Sequence, residues 1–352
     1  MMETMGMHVR SDASPLAAFV VNGTRARRVA RLRARFAAAA GASGWGPPLI
    51  LATTPEDSGS GAAAQALEAG ASLVFAVGGD GTVRACAQVL AGTDVPLAIV
   101  PTGSANLTAR ALGVPRDADA ALVAGFRGVD CRVDLARVSL AGIALAGVAP
   151  AGVAPTGVAP AGVALAGVDW QGPGDLICVA MAGIGVDAAV VGGTSERLKR
   201  LAGWPAYAAG SLVHLLGPPA EFTIRLDGGP PFVRLARSVV VGNTGRLPGG
   251  FPILPDARPD DGMLDVGILA PAGLVDWVSV GYRAILASRR DDSRLERHRA
   301  RTVEIQATTA QPRQVDGEVV GPGASLCVSV LPDALRIRIP ARSRERGGLR
   351  PA

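Results

Sequence analysis

Lysine is almost missing from this sequence. Among 352 residues, with 35 Lys and Arg together, Lys199 stands alone. It follows no glycine-rich loop, and no G-x-x-x-x-G-K-[S/T] string exists. A phosphate-cradling lysine of the P-loop or protein-kinase type is therefore excluded unless Lys199 serves. Aromatic residues are scarce, at 4%. The densest basic runs, Arg25 to Arg35 and Arg336 to Arg350, lack the interleaved aromatics of a nucleic-acid reader, so no nucleic-acid partner is expected. The second run is expected to end in a basic, solvated tail over 342–352. Cys86, Cys131, Cys178 and Cys327 form no C-x-x-C pair and sit in apolar stretches, as reduced thiols of a cytoplasmic protein would. His8, His214 and His298 are far apart and no H-E-x-x-H occurs, which argues against a zinc site. No long apolar region follows a basic start, so no signal peptide is expected.

What is present is enough apolar sequence, 49%, to bury a large core, and a net charge of +5 that fits an anionic partner without choosing one. The length suits two domains. After a disordered tail over 1–14, strands and helices alternate: strand Leu16 to Val21, helix to Ala40, strand Leu49 to Thr53, helix Gly61 to Ala69, strand Ser72 to Val77, helix Val83 to Leu90, strand Leu97 to Val100, helix Asn106 to Leu112. That alternation predicts a parallel sheet with helices on both faces, an α/β domain over 15–133. From about Asp134 to 341 strands dominate and predict a mainly antiparallel β domain, with one helical region from Ala272 to about Ala287. Leu176 to Met181 reads as one strand, and Ser325 to Val330 and Ala334 to Ile339 as two. Residues 141–168 form an uncharged five-residue AGVAP-type repeat. Gly or Pro in nearly every repeat makes a membrane helix costly, so a low-complexity loop is expected.

Four strings carry chemistry. Strand Ser72 to Val77 feeds Gly78-Gly79-Asp80-Gly81-Thr82, a glycine turn entering a helix, which presents main-chain N–H groups to an anion. Asp80 would repel phosphate and instead hold Mg²⁺ or fix the loop, and Thr82 offers a hydroxyl. Pro101-Thr102-Gly103-Ser104-Ala105-Asn106 ends the next strand, with Ser104 offering a hydroxyl and Asn106 capping a helix. Both loops should lie at one sheet edge, where open α/β sheets bind ligands. Pro255-Asp256-Ala257-Arg258-Pro259-Asp260-Asp261-Gly262 is either a solvated turn or a site for a hard cation. Val315-Asp316-Gly317-Glu318 is either a plain β-turn or the mount of a glutamate that accepts the proton of an attacking alcohol.

In this order and spacing, the four strings resemble the diacylglycerol kinase catalytic family, in its bacterial soluble lipid-kinase branch. The resemblance runs from about Leu16 to Ile339. The GGDGT string is shared with a wider superfamily that includes NAD kinases and sphingosine kinases; the other three favour the lipid-kinase branch. The resemblance implies a phosphofructokinase-like nucleotide domain, a C-terminal β-sandwich, and ATP in the cleft between them. It implies ATP contacts from Asn22, Thr54 (or Thr53), Gly78, Gly79, Asp80, Gly81, Thr82, Val83, Arg84, Ser104 and Asn106. It implies Mg²⁺ at Asp261 beside the carbonyls of Arg258 and Met263, with Asp80 and Glu318 as catalytic residues and Glu318 the proton acceptor. The first strand ends Asn22-Gly23-Thr24-Arg25 where the family has Asn-Pro and then Ser-Gly. Ser104 replaces the more usual threonine, and the pentapeptide repeat has no family counterpart.

The implied activity is transfer of the γ-phosphoryl group of ATP to a lipid hydroxyl, diacylglycerol being the family default. Its implied partner is a membrane lipid met at the bilayer surface by a peripherally bound protein, and a homodimer stays open. An NAD-kinase or sphingoid-base kinase activity is the nearest rival, and a catalytically inactive lipid- or nucleotide-binding regulator is the non-enzymatic one. Gly183-Ile184-Gly185-Val186-Asp187-Ala188 matches a loose dinucleotide fingerprint, but no suitable acidic residue closes a second strand. It is read as a strand turn.

Overall fold

The computed structural model describes residues 14–22, 26–54, 57–140, 175–185, 218–245, 252–273, 276–277, 282, 294–347 and 349–352. The tail over 1–13, the 141–168 repeat and nearly all of the expected helix near 272–287 lie outside the described residues.

The first half alternates as its sequence predicts. It runs β1 (Ala17–Val21), α1 (Ala26–Gly41), β2 (Leu49–Ala52), α2 (Ser60–Glu68), β3 (Leu73–Gly78), α3 (Asp80–Leu90), β4 (Leu97–Pro101), α4 (Leu107–Ala111) and α5 (Ala118–Arg127). Strands β1, β3 and β4 are buried at every position, because their continuous apolar runs face helices on both sides. They pair in parallel in the order β2-β1-β3-β4. Phe19 stacks on Phe36 at 4.1 Å and on Phe75 at 4.4 Å, and Phe126 of α5 leans on Phe75 at 4.8 Å. Helix α5 starts where the Asp117 carboxylate accepts from Ala120 N at 2.9 Å.

The second half is antiparallel. Its strands are β5 (Val129–Ser139), β6 (Leu176–Cys178), β7 (Met181–Gly185), β8 (Ala220–Leu226), β9 (Phe232–Ala236), β10 (Ser238–Gly242), β11 (Leu264–Leu269), β12 (Leu295–Ala300), β13 (Thr302–Gln311), β14 (Arg313–Val315), β15 (Glu318–Val319) and β16 (Gly323–Ile339). Six of them form a second sheet, β12-β11-β10-β7-β14-β15. A cluster including Ile184, Phe222, Val239, Val266, Ile305 and Val328 joins both sheets in one core.

Three readings need correction. The run Leu176 to Met181 is two strands, broken at Val179-Ala180. The two late strands are one, β16, with a register shift between Leu331 and Leu335. The C-terminus is a docked segment: α6 (Ala341–Gly347) is followed by buried Leu349 and a bridge between Pro351 and Cys131. The division near residue 134 falls inside β5. Strand β16 pairs with β13 and β5 in the second half and with β4, in parallel, in the first, so one sheet of ten strands runs through both.

Candidate active site

The parallel register sets Val21 opposite Ala52 and Val77, and Gly78 opposite Pro101. The residues that follow these strands therefore share one sheet edge, as expected. Asn22 and Thr102 extend the ladder, donating N–H to Val77 O at 3.2 Å and Gly78 O at 2.9 Å. Of the threonines left open by the sequence, Thr54 is exposed and accepts from Asp57 N at 3.1 Å, while Thr53 is buried. Ser104 is exposed.

The two glycine loops touch. A Cβ on Gly103 would stand 2.5 Å from the Gly79 Cα, so neither position tolerates a side chain without backbone movement. Helix α3 begins at Asp80, three residues earlier than its apolar periodicity suggests. The motif is thus its first turn, where main-chain N–H groups lack intrahelical acceptors. Thr82 is buried with its side chain against Gly78, inside the loop rather than at its surface.

Asn106 does not cap α4. It sits at the N-cap position with φ 48, but its side chain turns back on Gly103, accepting from Gly103 N at 3.0 Å and donating to Gly103 O at 2.7 Å. The acceptor at the start of α4 is Asp80, which takes Thr108 N at 3.4 Å. Burial pushes the Asp80 carboxyl up to about 6; the neighbouring Asp316 raises it further, against the main-chain donors of Thr108, Leu107 and Asn106.

The V-D-G-E string is a hairpin joining β14 to β15, with Val315 opposite Glu318. Asp316 (φ 50) and Gly317 (φ 80) are both left-handed, the geometry of a two-residue type I′ turn. Asp316 is 2% exposed. Its carboxylate accepts from Val179 N at 2.9 Å, Ala180 N at 2.7 Å and Met181 N at 3.0 Å, and from the Cys178 thiol at 3.3 Å. These bonds grip the break between β6 and β7. They also fix Glu318, whose carboxylate pairs with the Arg84 guanidinium, while Arg84 donates to Val315 O at 3.1 Å. A Cβ on Gly81 would collide with Glu318 Oε1. Glu318 thus lies over the glycine loop, 234 residues from Arg84 in the chain.

The acidic loop before β11 is held by its own set of bonds. Asp260 is 1% exposed and bound by Arg258 at 3.2 Å and by Arg350 N at 3.0 Å. Asp261 pairs with Arg299 and accepts from Met263 N at 3.1 Å. Gly262 N donates to Asp134 at 2.7 Å, whose other oxygen takes Asp333 N at 2.8 Å. Asp265 was not foreseen. One of its carboxylate oxygens is buried without a partner, and burial pushes its carboxyl up to about 6 against the pull of Arg299, with Asp261 and Asp256 raising it. An unsatisfied carboxylate oxygen on Asp265, with Asp261 nearby, is chemistry that a hard cation accepts. Among the described residues no group of three or more His, Cys, Asp or Glu side chains is placed to hold a metal ion together, and Arg299 supplies the positive charge between Asp261 and Asp265.

Sequence reasoning missed the Arg84–Glu318 pair and the roles of Asp316 and Asp134. The Asp-Gly dipeptide signalled the turn, but nothing local signals where a buried carboxylate finds its donors.

Residues 18–138 match the diacylglycerol kinase catalytic domain, and residues 180–339 match the YegS C-terminal NAD kinase beta sandwich-like domain. A probable lipid kinase YegS-like protein of Pseudomonas fluorescens is 30% identical over 290 residues, covering 81% of this chain and 83% of its own. One from Pseudomonas putida is 32% identical over 285 residues, covering 80% and 81%. The crystal structure of a putative diacylglycerol kinase from Bacillus anthracis superposes with a TM-score of 0.68 at 19% identity, over 96% of this chain and 98% of that one, and shares the fold. With both halves of the chain matched and the glycine loop meeting the V-D-G-E hairpin, this chain belongs to the YegS-like, diacylglycerol-kinase-type family of lipid kinases.

Proposed function

We propose that the chain transfers the γ-phosphoryl group of ATP to the hydroxyl of a lipid, with diacylglycerol as acceptor and phosphatidic acid as product. The observation that carries this reading is Glu318 over Gly81: a carboxylate that can take a proton stands at a loop whose main-chain donors can hold a phosphate. In the proposed reaction the glycine-loop N–H groups hold the terminal phosphates. Glu318 accepts the hydroxyl proton as the alcohol oxygen bonds to the γ-phosphorus in line, and ADP leaves with the electrons of the broken P–O bond. Asp80 holds α4, and with it the loop of Ser104, against the glycine loop. Mg²⁺ at Asp261 and Asp265, with the carbonyls of Arg258 and Met263, would supply positive charge to the acidic loop. No described helix is long and apolar enough to cross a membrane, and the lipid would be met at the bilayer surface.

The test is incubation with ATP, Mg²⁺ and a panel of glycerolipids, sphingoid bases and NAD in mixed micelles, read by mass spectrometry. A phosphorylated glycerolipid is expected; phosphorylation of NAD alone would move the assignment to the NAD kinases. Glu318→Gln should cut transfer by about 10²- to 10⁴-fold with the fold intact. Wild-type turnover in that variant would remove Glu318 from the mechanism.

A further inference from the structure

Arg84 follows the glycine loop by two residues and is largely buried, at 15% side-chain exposure, yet its guanidinium turns to the other half of the molecule. It binds the V-D-G-E hairpin twice, at Val315 O and at the Glu318 carboxylate. The result is an anion resting on the glycine loop: Glu318 Oε1 occupies the space where a Gly81 side chain would be. A loop suited to phosphate, with a cation beside it, is thus covered in this structure by a carboxylate of the protein itself. A carboxylate and a phosphate brought to the same guanidinium and the same loop repel each other strongly.

Resting on the kinase reading above, we infer that Arg84 is a positioning residue that parks Glu318 on the glycine loop, and that nucleotide phosphates displace the carboxylate and take over the guanidinium. Nucleotide binding and release of the base are then one exchange. The base is held by Arg84 until a phosphate arrives to claim that cation. Substrate entry thereby switches Glu318 from partner of an arginine to acceptor of a proton. The same exchange supplies a cation at the phosphates in a chain with a single lysine.

The experiment measures equilibrium affinity for ATP and for AMP, by calorimetry, in the full-length wild type, Glu318→Ala, Arg84→Ala and the double variant. Thermal melts check that each is folded. Removing the parked carboxylate should tighten ATP roughly ten-fold and leave AMP within about two-fold, because AMP lacks the terminal phosphates that compete for the place. Arg84→Ala should weaken ATP at least about three-fold more in the Glu318→Ala background than in the wild type, where losing the cation also frees the loop. Glu318→Gln keeps a hydrogen-bond acceptor without the charge and should fall between wild type and Glu318→Ala. Unchanged or weaker ATP binding in Glu318→Ala, an equal gain for AMP, or additive effects of the two changes would overturn the exchange. A wild type that phosphorylates lipid but shows those results loses only this inference. A wild type that does not bind ATP loses the kinase reading itself.

Discussion

On the nucleotide side of the site, four parallel strands deliver their loops to one edge, and glycine packed on glycine fixes the spacing. On the Glu318 side, position is set by buried carboxylates that accept main-chain N–H groups: Asp316 from residues 179–181, and Asp134 from Gly262 and Asp333. The first arrangement is mostly steric and local in sequence. The second is electrostatic and joins segments more than a hundred residues apart. Loss of a carboxylate there leaves several buried donors without acceptors, a larger penalty than a misfitted methyl group.

The comparison predicts an order of effects. Asp316→Ala should be the most damaging, costing about 3 kcal/mol or more in urea unfolding and abolishing transfer. If it unfolds no more easily than a glycine-loop variant, the distinction between the two sides fails. Gly103→Ala should come next, at about 1–3 kcal/mol, with the loss falling mainly on nucleotide affinity because the Gly79 backbone must shift. Asp80→Asn should act in the opposite sense on stability. The folded-state carboxyl titrates at about 6, above its usual 3.8. The native state therefore holds the proton more tightly than the unfolded chain, and this residue's contribution to stability falls as pH rises from about 4 through 6. The amide removes that penalty. Unfolding at pH 4.5 and 7.5 should show the variant gaining up to about 2 kcal/mol on the wild type at the higher pH, while activity drops. The smallest effect belongs to Asp94, whose exposed side chain is reached by Arg132 and Arg336. Asp94→Ala should change stability by less than about 0.5 kcal/mol, since exposed ion pairs contribute little.

The same contrast explains what could be read from the chain alone. The alternation of strands and helices, the shared edge and both glycine loops follow from residues adjacent in sequence, and they were legible. The break at Val179-Ala180 was not, because six apolar residues in a row look like one strand until the Asp316 carboxylate is seen drawing the turn inward. Strand β12, Leu295-Glu-Arg-His-Arg-Ala300, is too charged to announce itself. Its charges find partners on both sheets, Glu296 with Arg234 of β9 and Arg299 with Asp265 of β11. Asp261 was singled out, but not Asp265 beside it, whose importance rests on burial rather than on motif. The Glu318 turn was legible as a turn, whereas its seat over Gly81 depends on the packing of one half on the other.

Strand β16 has a mechanical consequence. Its early residues, Cys327 among them, pair with β5 and β13, while Ile337 and Arg338 pair with Leu97 and Ala98 of β4. A rigid swing of the parallel strands away from the antiparallel ones would have to break the pairing of β16 with β4 or bend β16 at its register shift. A chain cut before Gly323 would lose a strand that pairs with both halves of the molecule.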